Sequence, residues 1–381
     1  MTVDRPEGDS VSKAASQTLT APWQRTRSFL RRQETGLAAV IVLLGLLLTL
    51  ANSLFLTSNN LFNIVQAVAV VGILAIGEAF ILISGEIDLS VGSVLGVSGV
   101  VVALAMSQGI NPPIAIVMAL AAGGLICLVQ GSIVVYGKVN SFIVTLATLS
   151  IGRGLTLLLS CGIPVTVPSS FLFIGQWRIL NDMPVSVGVF IALVVLAQVV
   201  LSRSVFGQRI TAIGDNREAA RLTGIPIYRT RILVFVLSSL MAAAGGVVFT
   251  SQVGIAESQA GTGIELSVIA ACVIGGASLS GGRGSMLGAL LGAILLGIIT
   301  NAFILLRLSP FLQQLSIGLV IVLAVLFDQF RQGSFSRPRA FGGGPRSGSV
   351  PPGAGAVSGT PDGAQAGLDN AANHPVEDLA P

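Results

Sequence analysis

Residues 61–107 read LFNIVQAVAVVGILAIGEAFILISGEIDLSVGSVLGVSGVVVALAMS, and this stretch decides the class of fold. Its only charged side chains are the acids Glu78, Glu86 and Asp88, and they interrupt two long apolar runs. About twenty helical residues, at 1.5 Å each, cross a hydrocarbon layer of roughly 30 Å. Because lipid offers no hydrogen-bond partner to an open sheet edge, the stretch predicts two membrane-spanning helices, at 61–84 and 89–107.

The same criterion extends to most of the chain. The protein has 381 residues, of which 52% are hydrophobic and 10% charged, against about 25% charged residues in soluble domains. We therefore expect an all-α membrane protein, a polytopic bundle of about ten transmembrane helices. The predicted spans are 37–56, 61–84, 89–107, 113–136, 141–160, 185–201, 232–251, 263–280, 285–306 and 310–330.

Composition divides the chain into three parts. Residues 1–36 form a polar N-terminal segment, 37–330 the transmembrane domain, and 331–381 a Gly/Pro-rich tail that we expect to be disordered. An even number of spans places both termini on one side of the membrane. If that side is the cytoplasm, 18 of the 21 Lys and Arg residues lie inside, as the positive-inside rule requires. The net charge of +4 then reflects membrane topology, and no nucleic-acid partner is expected.

Several kinds of chemistry lack support in the sequence. The P-loop pattern G-x-x-x-x-G-K-[ST] does not occur, so the chain is not expected to bind ATP in that way. Its cysteines, Cys127, Cys161 and Cys272, are too scattered for a disulfide framework or a zinc site, and its one histidine, His374, lies in the tail. We therefore expect no metal, no cofactor and no catalytic residue, and we do not expect an enzyme.

Polar residues within spans are the candidates for a substrate pathway, since they are costly in lipid unless they face protein or water. Glu78 is either a cavity-lining group or a buried partner of Arg153 or of hydroxyls, and Asp88 is placed to cap the third span. Hydroxyls and amides at the starts of the third and fifth spans favour a neutral polyol over an ion. The candidate pathway residues are Glu78, Ser84, Asp88, Ser90, Ser93, Asn140, Thr145 and Thr148.

The longest predicted cytoplasmic connection, 202–231, contains a short helix with clear boundaries. Asp215 or Asn216 can cap it, residues 217–222 propagate it, and Gly224 ends it. Such a helix could transmit force to a partner protein. Alternatively, it could lie on the membrane surface with its arginines against anionic headgroups.

Four separated motifs give the chain a family resemblance. They are GEAFILISGEIDLSVGSVLG (77–96), VNSFIVTLATL (139–149), AIGDNREAARLTG (212–224) and IGGASLSGGRG (274–284). With these motifs in this order, the chain resembles bacterial ABC monosaccharide permeases of the ribose, xylose and arabinose type, which are akin to branched-chain amino-acid permeases. The long tail lies outside the resemblance.

The resemblance implies a type II ABC importer in the bacterial inner membrane, with N- and C-termini cytoplasmic. In such an importer two permease copies form the pathway, a separate ATPase binds beneath them, and an extracytoplasmic binding protein delivers the sugar. Glu78 and Glu86 depart from the family pattern, in which an uncharged residue and a glycine are common. The residues implied to couple to the ATPase are Gly214, Asn216, Arg217, Glu218, Ala219, Ala220 and Gly224.

Two alternatives stay open at this point. A proton-coupled secondary transporter could use Glu78 or Asp88 as its proton relay. An amino-acid permease of the same superfamily would need charged partners for carboxylate and ammonium groups, and Arg153 is nearly the only basic residue inside a span.

Overall fold

The computed structural model describes residues 22–179 and 183–331. Ten main helices follow one another through these residues. They are α1 (Pro22–Ala51), α2 (Ser58–Ile83), α3 (Val91–Ser107), α4 (Pro112–Tyr136), α5 (Ser141–Ser160), α7 (Val185–Arg203), α10 (Ile227–Val253), α11 (Ile264–Ile274), α12 (Met286–Leu305) and α13 (Pro310–Arg331).

Shorter elements occupy two of the connections. Between α5 and α7 lie strand β1 (Val165–Thr166), a 3₁₀ turn (Ser169–Phe171), helix α6 (Phe173–Gln176), and strands β2 (Arg178–Ile179) and β3 (Met183–Pro184). Between α7 and α10 lie two short helices rather than the single one predicted, α8 (Val205–Asp215) and α9 (Arg217–Leu222). Strand β4 (Ile255–Ala256) follows α10.

The predicted all-α membrane fold is confirmed, and each of the ten predicted spans has a helix in its place. Seven of these helices are long and apolar enough to cross a bilayer. The prediction for 263–280 was too long: α11 has 11 residues, which span only about 17 Å at 1.5 Å per residue. The glycine-rich segment after Ile274 turns back instead, with the Ser278 amide donating to the Arg283 carbonyl at 3.0 Å.

The core is centred on α10, which packs against α2, α3 and α4. From Val68 to Ile83 nearly every residue of α2 is buried, which explains why this helix has no polar face. Small residues permit the close approach of the helices. A Cβ at Gly77 would lie 2.8 Å from the Ser238 Cα, and one at Gly246 would press on the Leu95 carbonyl.

Three connections meet at one end of the bundle. Gly214, near the end of α8, packs so closely that an added Cβ would collide with the Ile83 carbonyl and the Gly282 amide. The Gly282 amide itself donates to the Ile83 carbonyl at 2.9 Å. The end of α2, the α8–α9 region and the 275–284 turn therefore form one continuous unit.

The opposite end is closed by strand pairing. Strand β1 pairs antiparallel with β4, with Val165 opposite Ala256, and β2 pairs with β3. The connection 251–262 is thus tied to the one that follows α5.

Two of the sequence-based expectations concern the ends of the chain. Helix α1 begins at Pro22, so helical structure extends well into the segment predicted as polar and non-spanning. The tail predicted to be disordered, residues 331–381, lies outside the described residues except for Arg331 at the end of α13. His374 and residues 1–21 lie outside them too.

Candidate functional site

A buried polar cluster lies where α2 meets the connection to α3. The Asp88 Oδ1 accepts from the Ser90 amide at 2.8 Å, from the Ser90 hydroxyl at 2.6 Å and from Gln130 Nε2 at 3.2 Å. Its Oδ2 accepts from the Ser238 hydroxyl at 3.4 Å. Asp88 therefore forms an Asx-type turn two residues before Ser90, which is the N-cap of α3. The prediction that Asp88 itself caps the helix was wrong by this two-residue offset.

Glu78 joins this cluster through the backbone. Its Oε1 accepts from the Asp88 amide at 3.4 Å, while its Oε2 is buried without a hydrogen-bond partner among the described residues. Within that part of the chain neither acid forms an ion pair, and Arg153, one of the partners considered from sequence, bonds elsewhere. Two carboxyl groups are thus buried together, and they accept hydrogen bonds mainly from neutral donors.

Glu86 lies on the same connection but points to the bundle end. Its Oε1 is 2.7 Å from Arg217 Nη2, at the start of α9, and 2.6 Å from Arg231 Nη2, in the first turns of α10. Glu86 and Arg231 are nearly buried, at 5% and 10% exposed, whereas Arg217 is 48% exposed. One carboxylate therefore ties α9 and α10 to the α2–α3 connection.

The residue after Glu86 contacts α5. The Ile87 amide donates to the Ser141 hydroxyl at 3.5 Å, and the Thr145 hydroxyl donates to the Ile87 carbonyl at 3.4 Å. Further along, a Cβ on Gly152 would lie 2.6 Å from the Ser93 hydroxyl. A continuous series of contacts therefore runs from Arg217 through Glu86 and Ile87 to the N-terminal half of α5.

Helix α9 is defined by the residues that the sequence indicated. The Asn216 Oδ1 accepts from the Ala219 amide at 3.0 Å, which confirms it as the N-cap, and Gly224 ends the helix with φ +80°. An Arg221 to Glu218 ion pair at 2.6 Å lies on the exposed surface, and this hydrogen bond and charge lower the pKa of Glu218.

The predicted coupling residues do not share one surface. Arg217, Glu218 and Ala219 are exposed, whereas Ala220 is buried. Gly214 packs inward against Ile83, as described above. Leu222 was not among the predicted coupling residues, and it is 77% exposed at the end of the helix. The outward face of α9 is therefore made of Glu218, Ala219, Arg221 and Leu222.

Two cavities open along α5. The larger, about 880 Å³, lies between the start of α5, the end of α4 and α9; we call it the Arg217 cavity, and its polar lining includes Glu86, Lys138, Asn140, Ser141, Arg217, Glu218, Arg221 and Arg231. The smaller, about 480 Å³, lies at the other half of α5. We call it the Arg153 cavity, and it is lined by Leu149, Ser150, Arg153, Leu157, Ser258, Gln259, Thr262 and Glu265.

The two cavities share one face of α5. Phe142 lines the first, and Leu149, Arg153 and Leu157 line the second. Leu146, which is exposed, lies between them. Spacings of three and four residues place these positions in one row along a helix. This row lies on the outside of the single chain, so one copy covers it on one side only.

The predicted pathway residues fall into two groups. Asn140 lines the Arg217 cavity, and Thr148 is partly buried on α5. The others do not line either cavity. Thr145 is buried on α5 itself, and the residues buried behind that helix are Glu78, Ser84, Asp88, Ser90 and Ser93. Their part in a substrate pathway stays a prediction.

Several residues of these sites were missed. Arg231 forms an ion pair with Glu86, and Glu265 lines the Arg153 cavity. Each lies near the end of a span, where charged residues are common and therefore do not stand out in the sequence. Gln130 and Ser238 bond to Asp88 from α4 and α10. Their neutral side chains give no periodic signal. Among the described residues no group of three or more His, Cys, Asp or Glu could hold a metal ion.

Comparison with known proteins identifies this architecture. Residues 60–325 match the family described as branched-chain amino acid transport system / permease component. That match covers well over half of the chain. The chain belongs to this family.

Several relatives of this permease match over most of their own length. Ribose import permease protein RbsC of Escherichia coli (strain K12) is 37% identical over 83% of the chain and 99% of its own length. RbsC of Bacillus subtilis (strain 168) is 36% identical over 78% and 93%. The L-arabinose ABC transporter permease protein AraH of Azospirillum brasilense is 36% identical over 78% and 88%.

Family membership confirms the resemblance carried by the four motifs. The chain is a multi-pass permease subunit of a bacterial inner-membrane ABC importer. It is a membrane component rather than an enzyme, because ATP hydrolysis belongs to a separate subunit. The family implies two kinds of partner, an ATPase and a substrate-binding protein.

Proposed function

We propose that this permease imports a monosaccharide, which it receives from an extracytoplasmic sugar-binding protein and releases into the cytoplasm. One observation carries the proposal: relatives that match almost their whole length are named for ribose and arabinose. The composition of the Arg153 cavity supports it, since hydroxyl, amide and opposite charges occur together there without a net charge.

The pathway runs along the α5 face, between two copies of the chain. A single copy leaves the row from Phe142 to Leu157 open, with a cavity near each end. Exposed apolar residues between and beside the cavities, such as Leu146 and Ile143, suit contact with a second copy or a narrow apolar constriction. A homodimer therefore closes a passage that one chain cannot enclose.

The predicted pathway residues take two roles in this arrangement. Asn140, Thr145 and Thr148 belong to α5 and lie on or next to the passage. Glu78, Ser84, Asp88, Ser90 and Ser93 act from behind α5, where their hydrogen bonds fix the connection that contacts Ser141 and Thr145. They shape the pathway by positioning the helix that lines it.

The α9 end of the bundle faces the cytoplasm, together with both termini. Support comes from the basic residues, 18 of 21 of which fall on that side in this orientation. Fusion of a reporter such as alkaline phosphatase or green fluorescent protein to each terminus checks the orientation. Alkaline phosphatase activity at either end would contradict it.

Helix α9 meets the ATPase. Its N-cap, its terminating glycine and its ion pair make it a rigid, short helix, and Leu222 adds an exposed apolar anchor of the kind that interface centres favour. Through Glu86, a movement of α9 reaches α5 by direct contacts.

Reconstitution tests the proposed function. The permease is placed in proteoliposomes with candidate ATPase and binding-protein partners, and uptake of labelled D-ribose, L-arabinose, D-xylose, D-glucose and L-leucine is measured. ATP-dependent uptake of one of the sugars supports the proposal. Uptake of L-leucine alone, or sugar uptake that persists without ATP and is abolished by a protonophore, would refute it.

A further inference from the structure

The Arg153 cavity differs from the surface around it. Helix α5 exposes large apolar side chains such as Ile143, Ile151 and Leu158, yet six of the eight residues that line the cavity are polar or charged. Its volume of about 480 Å³ lies within the range of small-molecule sites, which hold a few polar groups that fix the ligand. A polar recess on an apolar helix surface calls for a polar occupant.

Two glycines of α3 leave room for Arg153 and Glu265, the two charged residues of this cavity. A Cβ at Gly92 would lie 2.5 Å from Glu265 Oε2, and a Cβ at Gly96 would lie 3.6 Å from Arg153 Nη1. These glycines are four residues apart and therefore lie on one face of the helix. The absence of side chains at this face lets both charged groups reach into the protein beside α3.

Neither charged group is fully satisfied. Arg153 Nη1 donates to the Ala260 carbonyl at 2.5 Å, but Arg153 Nη2 and Glu265 Oε2 are buried and have no hydrogen-bond partner among the described residues. The two side chains interact electrostatically without forming a direct ion pair there. Buried unpaired polar atoms are rare and costly, so the described residues do not fully stabilise either charged group.

We propose that the Arg153 cavity is a binding site for a neutral polyol, a monosaccharide on its way along α5. A sugar hydroxyl can donate to Glu265 and accept from Arg153 at the same time, as no simple ion can. The opposite charges cancel, and Ser150, Gln259 and Thr262 add neutral donors and acceptors at the rim. The inference rests on the proposed function, and it names residues that neither the motifs nor the family resemblance indicated.

Protection of an introduced cysteine tests occupancy directly. Cys161 is the exposed native cysteine, while Cys127 and Cys272 are buried, so Cys161→Ser gives a quiet background. Ser150→Cys then places a thiol in the cavity, and Leu158→Cys, 74% exposed on α5, is the matched control outside it. The rate of modification by a charged methanethiosulfonate is measured on the assembled transporter in proteoliposomes, with and without D-ribose, L-arabinose, D-xylose, D-glucose or L-leucine.

A sugar at ten times its dissociation constant is expected to slow modification of the Ser150→Cys thiol about tenfold, with no change at Leu158→Cys. Protection by L-leucine and by none of the sugars would overturn the proposal in favour of a zwitterion site. Absence of protection in a transporter that carries one of the sugars overturns this site and leaves the proposed function intact. A transporter that carries no sugar overturns both.

Substitution gives a second readout. Glu265→Gln keeps the shape but removes the charge, and it is expected to raise the KM for the transported sugar about tenfold or more, since a hydrogen bond to a charged group is lost. Glu257→Gln, an exposed acid of the connection that precedes α11 and outside the cavity, is the control. If Glu265→Gln does not insert, Thr262→Val at the exposed rim replaces it. An unchanged KM in an inserted variant overturns the proposal.

Discussion

Arg217 and Glu86 are joined across the bundle end by a 2.7 Å contact between Nη2 and Oε1. The first belongs to the exposed helix α9, and the second to the buried connection that contacts α5 through Ile87. Because Arg231 binds the same oxygen from α10, the Glu86 carboxylate is shared between the exposed helix α9 and the core helix α10.

The shared carboxylate predicts unequal effects for its two partners. Arg217→Gln is expected to leave the fold intact, because Arg231 still neutralises Glu86, but to raise the number of ATP molecules hydrolysed per sugar imported. Glu86→Gln leaves two guanidinium groups without their partner, and breaking a buried pair costs about 3–5 kcal/mol. Thermal unfolding in detergent and the ATP-to-sugar ratio in proteoliposomes check both. Equal loss of stability in the two variants would contradict the shared-carboxylate interpretation.

A second prediction concerns the outward face of α9. Ala219→Trp and Leu222→Asp should abolish sugar-stimulated ATP hydrolysis while leaving membrane insertion intact, because both side chains point away from the bundle. Glu218→Trp should act in the same way. Ser202→Trp, exposed in the last turn of α7, serves as the control. Normal uptake in the Ala219 and Leu222 variants would remove α9 from the ATPase interface.

Sequence was most informative where one physical rule applied to a long segment. Hydropathy located the ten helices, and capping chemistry located α9 between Asn216 and Gly224. The hydropathy prediction was wrong at 263–280. An apolar run interrupted by glycines is equally compatible with a span and with the short helix and turn observed. Length and hydropathy cannot separate those two structures.

The candidate site was harder to predict than the fold. The sequence shows which polar residues lie within spans, but it does not show which of them face a cavity. Burial of a helix face depends on the neighbouring helix that covers it. Ser90 and Ser93 are fully buried, whereas Ser150 on α5 lines a cavity. Glu265 and Arg153 line the same cavity although they are more than a hundred positions apart in the sequence. No local sequence pattern encodes that proximity.

Close packing at the bundle end gives a third prediction. At Gly214 an added Cβ would meet backbone atoms of Ile83 and Gly282, which cannot move independently, whereas nothing lies within 4 Å of a Cβ at Gly154. Gly214→Ala should therefore lower the thermal unfolding temperature and weaken coupling, while Gly154→Ala is expected to be neutral or slightly stabilising, as alanine is the better helix former by about 1 kcal/mol. Unfolding curves of the two purified variants provide the comparison, and a stable Gly214→Ala would contradict the packing.

The last prediction separates the two buried acids, Glu78 and Asp88. Asp88 accepts four hydrogen bonds, from the Ser90 amide and hydroxyl, Gln130 and Ser238. Asp88→Ala would leave several buried donors unpaired, each of which costs about 1–3 kcal/mol, so we expect a large fall in unfolding temperature.

Glu78 makes one long bond to the Asp88 amide and leaves Oε2 without a partner among the described residues. Glu78→Gln keeps the acceptor for that amide, cannot carry a negative charge beside Asp88 and supplies an amide donor. Because a buried charge is stabilised only where it is paired and hydrogen-bonded, Glu78→Gln should unfold at the same or a higher temperature and retain ATP-driven uptake. A proton relay through Glu78 demands the opposite outcome, since glutamine carries no titratable proton. Loss of uptake in a stable Glu78→Gln protein would therefore contradict a purely structural role for this acid, and retained uptake would exclude the relay.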